Sequence, residues 1–181
     1  MAAIDSLARS RQLGGILNRG GRKMRLIGWT LAVAAAGIAV PAQAQSVSAS
    51  RPDSLVKALQ AAGYTAKLEK DGTGDPMIVS AVNGHPFRVV FYGCKANKDC
   101  ATISLAAGFD KKSATDLASI NAWNRKNRFG RAYLDDEGDP ILGMDIDLDD
   151  GGMSTALFAD NLEFWTAVTG AFQKHIGWDR E

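Results

Sequence analysis

The chain has 181 residues, room for one ordinary domain and not comfortably for two. At 46% hydrophobic and 23% charged it is not a disordered chain, and two cysteines and two histidines are too few for a zinc ribbon or an iron–sulfur cluster. The net charge of +1 averages two unlike parts: residues 1–44 hold six basic residues and one acid, the remainder 15 basic and 19 acidic.

The first part has the order of an export signal. Arg22, Lys23 and Arg25 precede the uncharged run LIGWTLAVAAAGIAV at 26–40, and Ala42-Gln43-Ala44 supplies a small-x-small cleavage site. The run is Ala-rich and shorter than the ~20 residues that span a bilayer. The reading is a signal peptide over 1–44, with Met24 as an alternative start, and a mature chain beginning at Gln45 in the periplasm. An uncleaved anchor is the competing reading. No later apolar segment is long enough to span a membrane.

Residues 45–51 read as a polar linker. Pro52 and Asp53 then open a helix in which Leu55, Val56, Leu59 and Ala62 recur at helical spacing, and Gly63 ends it. Tyr64, Ala66 and Leu68 alternate with polar residues as a first strand. After the turn DGTGD, residues 76–82 form a second strand, Asn83-Gly84 a hairpin turn, 87–93 a third strand and 101–109 a fourth.

Cys94 and Cys100 close a five-residue polar loop between two of these strands. In an oxidising compartment that pair is most simply a disulfide, contributing about 2 kcal/mol for so short a ring. Redox pairs are typically C-x-x-C at a helix N-terminus, which this is not.

Ser113 begins a second helix, with Asp116 three positions on as a short capping box and Leu117, Ile120 and Trp123 or Asn124 as its buried stripe. FGRAYLD and ILGMDIDLD follow as a strand pair around DEGDP. A last helix starts near Ser154, with Phe158, Leu162, Trp165, Thr169, Phe172 and Ile176 along one face. Leu157, Phe164 and Val168 add a second row, wider than the ~100° stripe one helix buries on a sheet. That row is the candidate interface, for a second copy or a client peptide; cover by one of the other helices is the alternative. The order α-β-β-β-β-α-β-β-α predicts an α+β domain over 52–181, an antiparallel sheet of five to six strands with three helices.

Residues 121–150 resemble the YbjN-domain family, bacterial proteins often labelled sensory transduction regulators. The similarity lies in Asn121, Trp123 and Asn124 at a helix end, Arg128-Phe129, then Ala132-Tyr133-Leu134 before an acidic turn and an aspartate-bearing strand. VNGHPFRVVFYGC with its second cysteine is similar to an exported, cysteine-containing branch, and Asn161 and Trp165 fit the closing segment. The resemblance implies a fold like that of type III secretion chaperones, commonly dimeric, and no particular reaction.

Candidate sites divide as follows. Eight acids fall between Asp135 and Asp150. As a calcium loop counted from Asp145, the stretch has Asp150 where Gly is needed and Ala156 where a bidentate Glu is needed, so a solvated acidic strand face is expected and no metal. Arg125, Lys126, Arg128 and Arg131 beside Trp123 and Phe129 could bind an anion. The acidic balance of the mature chain argues instead for internal neutralisation, with no nucleic acid as partner. His85 and His175 are far apart, and no nucleophile elbow, P-loop or dinucleotide fingerprint occurs. Of Trp123, Trp165 and Trp178, which could line a pocket, Trp165 reads as core and Trp178 as the one to be exposed. The expectation is an exported, non-enzymatic protein without a cofactor, binding a protein or peptide and possibly forming a homodimer. A small-ligand sensor or an enzyme of the envelope is the alternative.

Overall fold

The computed structural model describes residues 46–111 and 115–178; the signal-peptide reading over 1–44 and the helix start at Ser113 fall outside them. The elements in chain order are β1 (Ser46–Val47), α1 (Pro52–Ala61), β2 (Lys67–Lys70), β3 (Pro76–Val82), β4 (His85–Tyr92), β5 (Thr102–Gly108), α2 (Leu117–Lys126), β6 (Arg131–Leu134), β7 (Pro140–Asp147), β8 (Met153–Ser154) and α3 (Thr155–His175). The six main strands form one antiparallel sheet in the order β2-β3-β4-β5-β7-β6. This is the α+β class with three helices that the strand and helix patterns predict.

Strand alternation sorts the side chains onto two faces. Ile78, Phe87, Val89, Phe91, Ile103, Leu105, Leu142, Met144 and Ile146 point into the core. Against them α3 lays Phe158, Leu162, Trp165, Thr169 and Phe172, all buried, at spacings of four, three, four and three. Each large apolar side chain so covered contributes roughly 1.5–3 kcal/mol. Leu55 and Leu59 of α1 and Ile120 and Trp123 of α2 complete the layer. The Tyr64 hydroxyl ties the end of α1 to α3 at the Leu162 carbonyl, 3.2 Å away.

The two edge hairpins use one turn chemistry. DGTGD and DDEGD both read Asp-x-x-Gly-Asp. In the first, Asp71 Oδ1 accepts from the backbone N–H of Thr73 and Asp75, each at 2.9 Å. In the second, Asp135 Oδ1 accepts from those of Glu137 and Asp139 at 3.0 and 2.8 Å. Gly74 and Gly138 carry φ of 93° and 87°, which L side chains avoid. Asp71 and Asp135 are thereby spent on turn geometry.

Two sequence expectations change. The 46–51 segment is no free linker: Ser46 and Val47 pair with Ser154 and Met153, and Val47 and Ala49 are buried. Two apolar residues among serines were enough to anchor it. α2 begins at Leu117, and Asp116 is its N-cap rather than a first-turn residue, accepting from Ser119 N at 2.6 Å. Trp178 is, as expected, the least buried of Trp123, Trp165 and Trp178, half-buried with its ring edge-on to His85 and Phe109. The reason is the C-terminal turn of α3, where Trp178 N donates to Gln173 O at 2.8 Å and Gly177 N to Lys174 O at 3.3 Å. That pattern folds the chain back onto the sheet end.

Candidate functional site

Trp123, Asn124, Arg128, Phe129 and Tyr133 lie together along the α2–β6 junction, while Asn121 stands one turn earlier on α2; of the six only Trp123 is buried. Trp123 is buried, and its indole donates to the Gly130 carbonyl at 2.7 Å. Asn124 Nδ2 donates to the Ala132 carbonyl and Asn124 Oδ1 accepts from the Ala132 N–H, both at 2.9 Å. The side-chain amide thus stands in for a neighbouring strand at the free edge of β6. Gly130 has φ of 77°, and a Cβ there would lie 3.1 Å from Leu142 Cδ1 and 3.3 Å from Val168 Cγ2, so both conformation and space call for glycine. These residues buckle a helix to a strand.

That buckle also meets the candidate interface row of α3. Val168 is half-buried, packed over Gly130. Phe164 stacks on Phe129 with ring centroids 4.4 Å apart, yet stays 40% exposed, and Leu157 one helix stretch earlier is 51% exposed. The second row is therefore covered in part by the α2–β6 loop rather than by a helix. Arg128 lies over the Phe129 ring at 5.8 Å. Arg131 lies over the Tyr133 ring at 5.0 Å and 3.9 Å from Asp145, an exposed pair of small energetic weight.

Cys94 and Cys100 are joined, with an S–S distance of 2.11 Å and Cα atoms 3.8 Å apart. The Cα separation is shorter than the usual ~4.4–6.8 Å. The loop between them is tightly wound: Ala96, Asn97 and Asp99 have φ of 52°, 59° and 51°. Asn97 links it to the β2–β3 turn, donating to Asp75 Oδ1 at 2.8 Å.

On β7, Asp145 and Asp147 face solvent while Met144 and Ile146 are buried. Among the described residues no three His, Cys, Asp or Glu side chains converge to hold a metal. His85 is buried, stacked on Phe109 at 4.4 Å, with Nε2 2.9 Å from the Gly108 carbonyl. His175 Nε2 is 2.9 Å from the Ser119 carbonyl, binding α3 to α2. Both histidines are used in packing.

The surface that periodicity alone did not single out is the open face of the sheet. A trough of about 690 Å³ runs over β5 and β7, with Thr102, Ser104, Ala106 and Gly143 as its floor and Asp145 and Asp147 along it. Tyr92 on β4 and Arg131 with Tyr133 on β6 rise at its ends. The signal for it was the run of small residues on one parity of β5, Ser104-Ala106-Gly108, opposite Gly143 across the ladder. The Tyr92 phenol is pushed above its ordinary range, first by burial and then by Tyr133 and Asp145, with Arg131 acting in the opposite sense.

The model of the YbjN family, described as a putative bacterial sensory transduction regulator, matches residues 51–178. The chain belongs to that family. No curated protein shows significant similarity to it. Among the described residues, no helix is long and apolar enough to cross a membrane.

Proposed function

We propose that this protein is an exported, non-enzymatic interaction protein of the bacterial envelope that binds a protein or peptide through the α3 face at Leu157, Phe164 and Val168. The observation that supports it is the exposed Phe129–Phe164 stack continued by Leu157. Aromatic rings held together at a surface, rather than scattered singly, are the composition of an interface anchor. Export rests on the basic, apolar and Ala-x-Ala order of residues 22–44, and the Cys94–Cys100 bridge fits an oxidising compartment. A second copy or a peptide helix would complete the cover that the α2–β6 loop begins.

The test is light scattering of the purified protein at micromolar concentration, with chemical cross-linking to periplasmic proteins. Phe164→Asp and Leu157→Asp, both at exposed positions, should abolish association and leave the circular dichroism spectrum unchanged. Association that survives both substitutions places the interface elsewhere. A wild-type protein that neither self-associates nor cross-links to a partner refutes the reading.

A further inference from the structure

The six-stranded sheet ends in β2 on one side and β6 on the other, and the chain treats the two edges differently. At β6 the Asn124 amide takes up the Ala132 N–H and C=O. At β2 no side chain does the same for the middle of the strand. Asp71 N donates to Asp75 O, and Glu69 opposite Met77 and Lys67 opposite Val79 continue that series of hydrogen-bonded pairs. The N–H and C=O groups of Leu68 and Lys70 therefore point away from β3, and among the described residues they have no partner.

The side chains along this edge suit one kind of incoming strand. Lys67 and Glu69 share the open face of the sheet, with Nζ and Oε1 2.8 Å apart. Leu68 lies on the helix side, 41% exposed, at a cleft of about 300 Å³ that Pro52, Gly74 and Pro76 also line. Lysines on an edge ordinarily turn a second strand away. Here a second β2 brings the same residues in reverse order, and the outcome depends on register. Antiparallel pairings centred on Lys67, Glu69 or Lys70 each set that residue against its own copy, like charge on like charge. Centred on Leu68, the pairing sets Lys67 against Glu69 and Glu69 against Lys67, with leucine opposite leucine. Lys67-Leu68-Glu69 is its own complement in that one register. Ala66 then faces Lys70; its carbonyl is touched only by the exposed Gln60 Nε2 at 3.4 Å, a contact easily given up.

We infer that β2 is an edge for a second copy of this chain, two β2 strands pairing antiparallel about Leu68 so that two sheets join into one. The Leu68 N–H and C=O of each copy bond those of the other, and Lys70 bonds Ala66. The backbone supplies the attraction, and the alternating charges select the register by making the others repulsive. A strand of four residues buries less than the roughly 1,200 Å² of a stable interface. The pairing is accordingly weak, with a dissociation constant on the order of 0.1–1 mM. It lies at the sheet edge opposite β6 and the Phe129–Phe164 stack, and above the micromolar range in which the α3 interface is tested; either can fail without the other.

The test is sedimentation equilibrium up to millimolar concentration. Lys67→Glu makes positions 67 and 69 both acidic, and Glu69→Lys makes both basic, so each variant alone should self-associate about tenfold more weakly than the wild type. An equimolar mixture of the two restores unlike charge at every pair and should associate as the wild type does. A misfolded variant cannot produce that rescue. Leu68→Pro removes an N–H that the β3 ladder does not use, so it should keep the circular dichroism spectrum and abolish the association. Phe164→Asp should leave it unchanged. The inference is overturned by a wild type that is monomeric at millimolar concentration, by single charge variants that associate as the wild type does, or by a mixture no stronger than its components. Association that survives Leu68→Pro, or that Phe164→Asp removes, overturns it equally, the latter assigning the contact to α3.

Discussion

Asn124→Ala isolates what the Trp-Asn pair does. In the wild type the Asn124 amide makes two hydrogen bonds to the backbone of Ala132, at 2.9 Å each. A net contribution of about 0.5–1.5 kcal/mol per bond gives about 1–3 kcal/mol for the pair. Two effects reduce the loss. Alanine is the better helix former by several tenths of a kcal/mol at a position still inside α2. Asn124 is also exposed, so water can replace part of its amide. The expected destabilisation is therefore about 1–2 kcal/mol, or a fall in Tm of roughly 3–8 °C for a domain of this size. Asn124→Asp is the sharper comparison. It keeps the acceptor for the Ala132 N–H but turns a carboxylate oxygen toward the Ala132 carbonyl and adds negative charge to the last turn of a helix. The order of stability in urea denaturation should be Asn, then Ala, then Asp. An alanine variant within about 0.3 kcal/mol of wild type, or an aspartate variant more stable than the alanine one, would refute the strand-mimic role.

Reduction of Cys94–Cys100, or its replacement by two serines, should lower stability by about 2 kcal/mol, as measured by the urea midpoint. An unchanged midpoint would mean that the loop is held by Asn97 and its neighbours alone. The Tyr92 phenol, raised by partial burial and then by Tyr133 and Asp145 against Arg131, binds its proton more tightly folded than unfolded. Stability credited to it is thus complete below the ordinary tyrosine pKa of about 10 and is lost as pH rises from there through the folded value. Above pH ~10 the wild type should accordingly lose more stability than Tyr92→Phe, and an equal loss in both would contradict the assignment. Intact-mass analysis of the exported protein should place its N-terminus at Gln45; a periplasmic chain that retains Met1 or Met24 would exclude cleavage after Ala44.

The core was legible because its signals are periodic. The α3 stripe from Phe158 to Phe172 and the Met144-Ile146-Leu148 alternation each commit several residues to one face, and no local preference opposes them. Features decided by one or two contacts were not legible. Val47 and Ala49 sit in a serine-rich stretch without periodicity, yet a two-residue ladder to Met153 and Ser154 holds them. Asp116 satisfies the pattern of a first-turn acid as well as that of a cap, and only its hydrogen bond to Ser119 separates the two. Trp178, past the helix stripe, is the least buried of the three tryptophans as its position suggests, but its contact with Phe109 through the turn at Gly177 was not legible.

The candidate surfaces show a different limit. Phe164 and Val168 were visible as surplus apolar residues on a helix, because surplus shows against the stripe a helix needs. What covered them was not visible, since Phe129 and Gly130 reach them through a loop whose path depends on Trp123 and Asn124. On the open sheet face the relation is reversed. Ser104, Ala106 and Gly143 are inconspicuous in sequence because nothing large marks them. Their significance arises from the ladder that sets Ala106 opposite Gly143 and Ser104 opposite Asp145. A strand pair that spends its outward positions on small residues forgoes the cross-strand packing that large side chains would contribute. The same positions leave room above the backbone, between Tyr92 at one corner and Tyr133 at the other. In this chain, therefore, the residues that specify the fold are conspicuous by size, and those that leave the sheet face open are conspicuous by its absence.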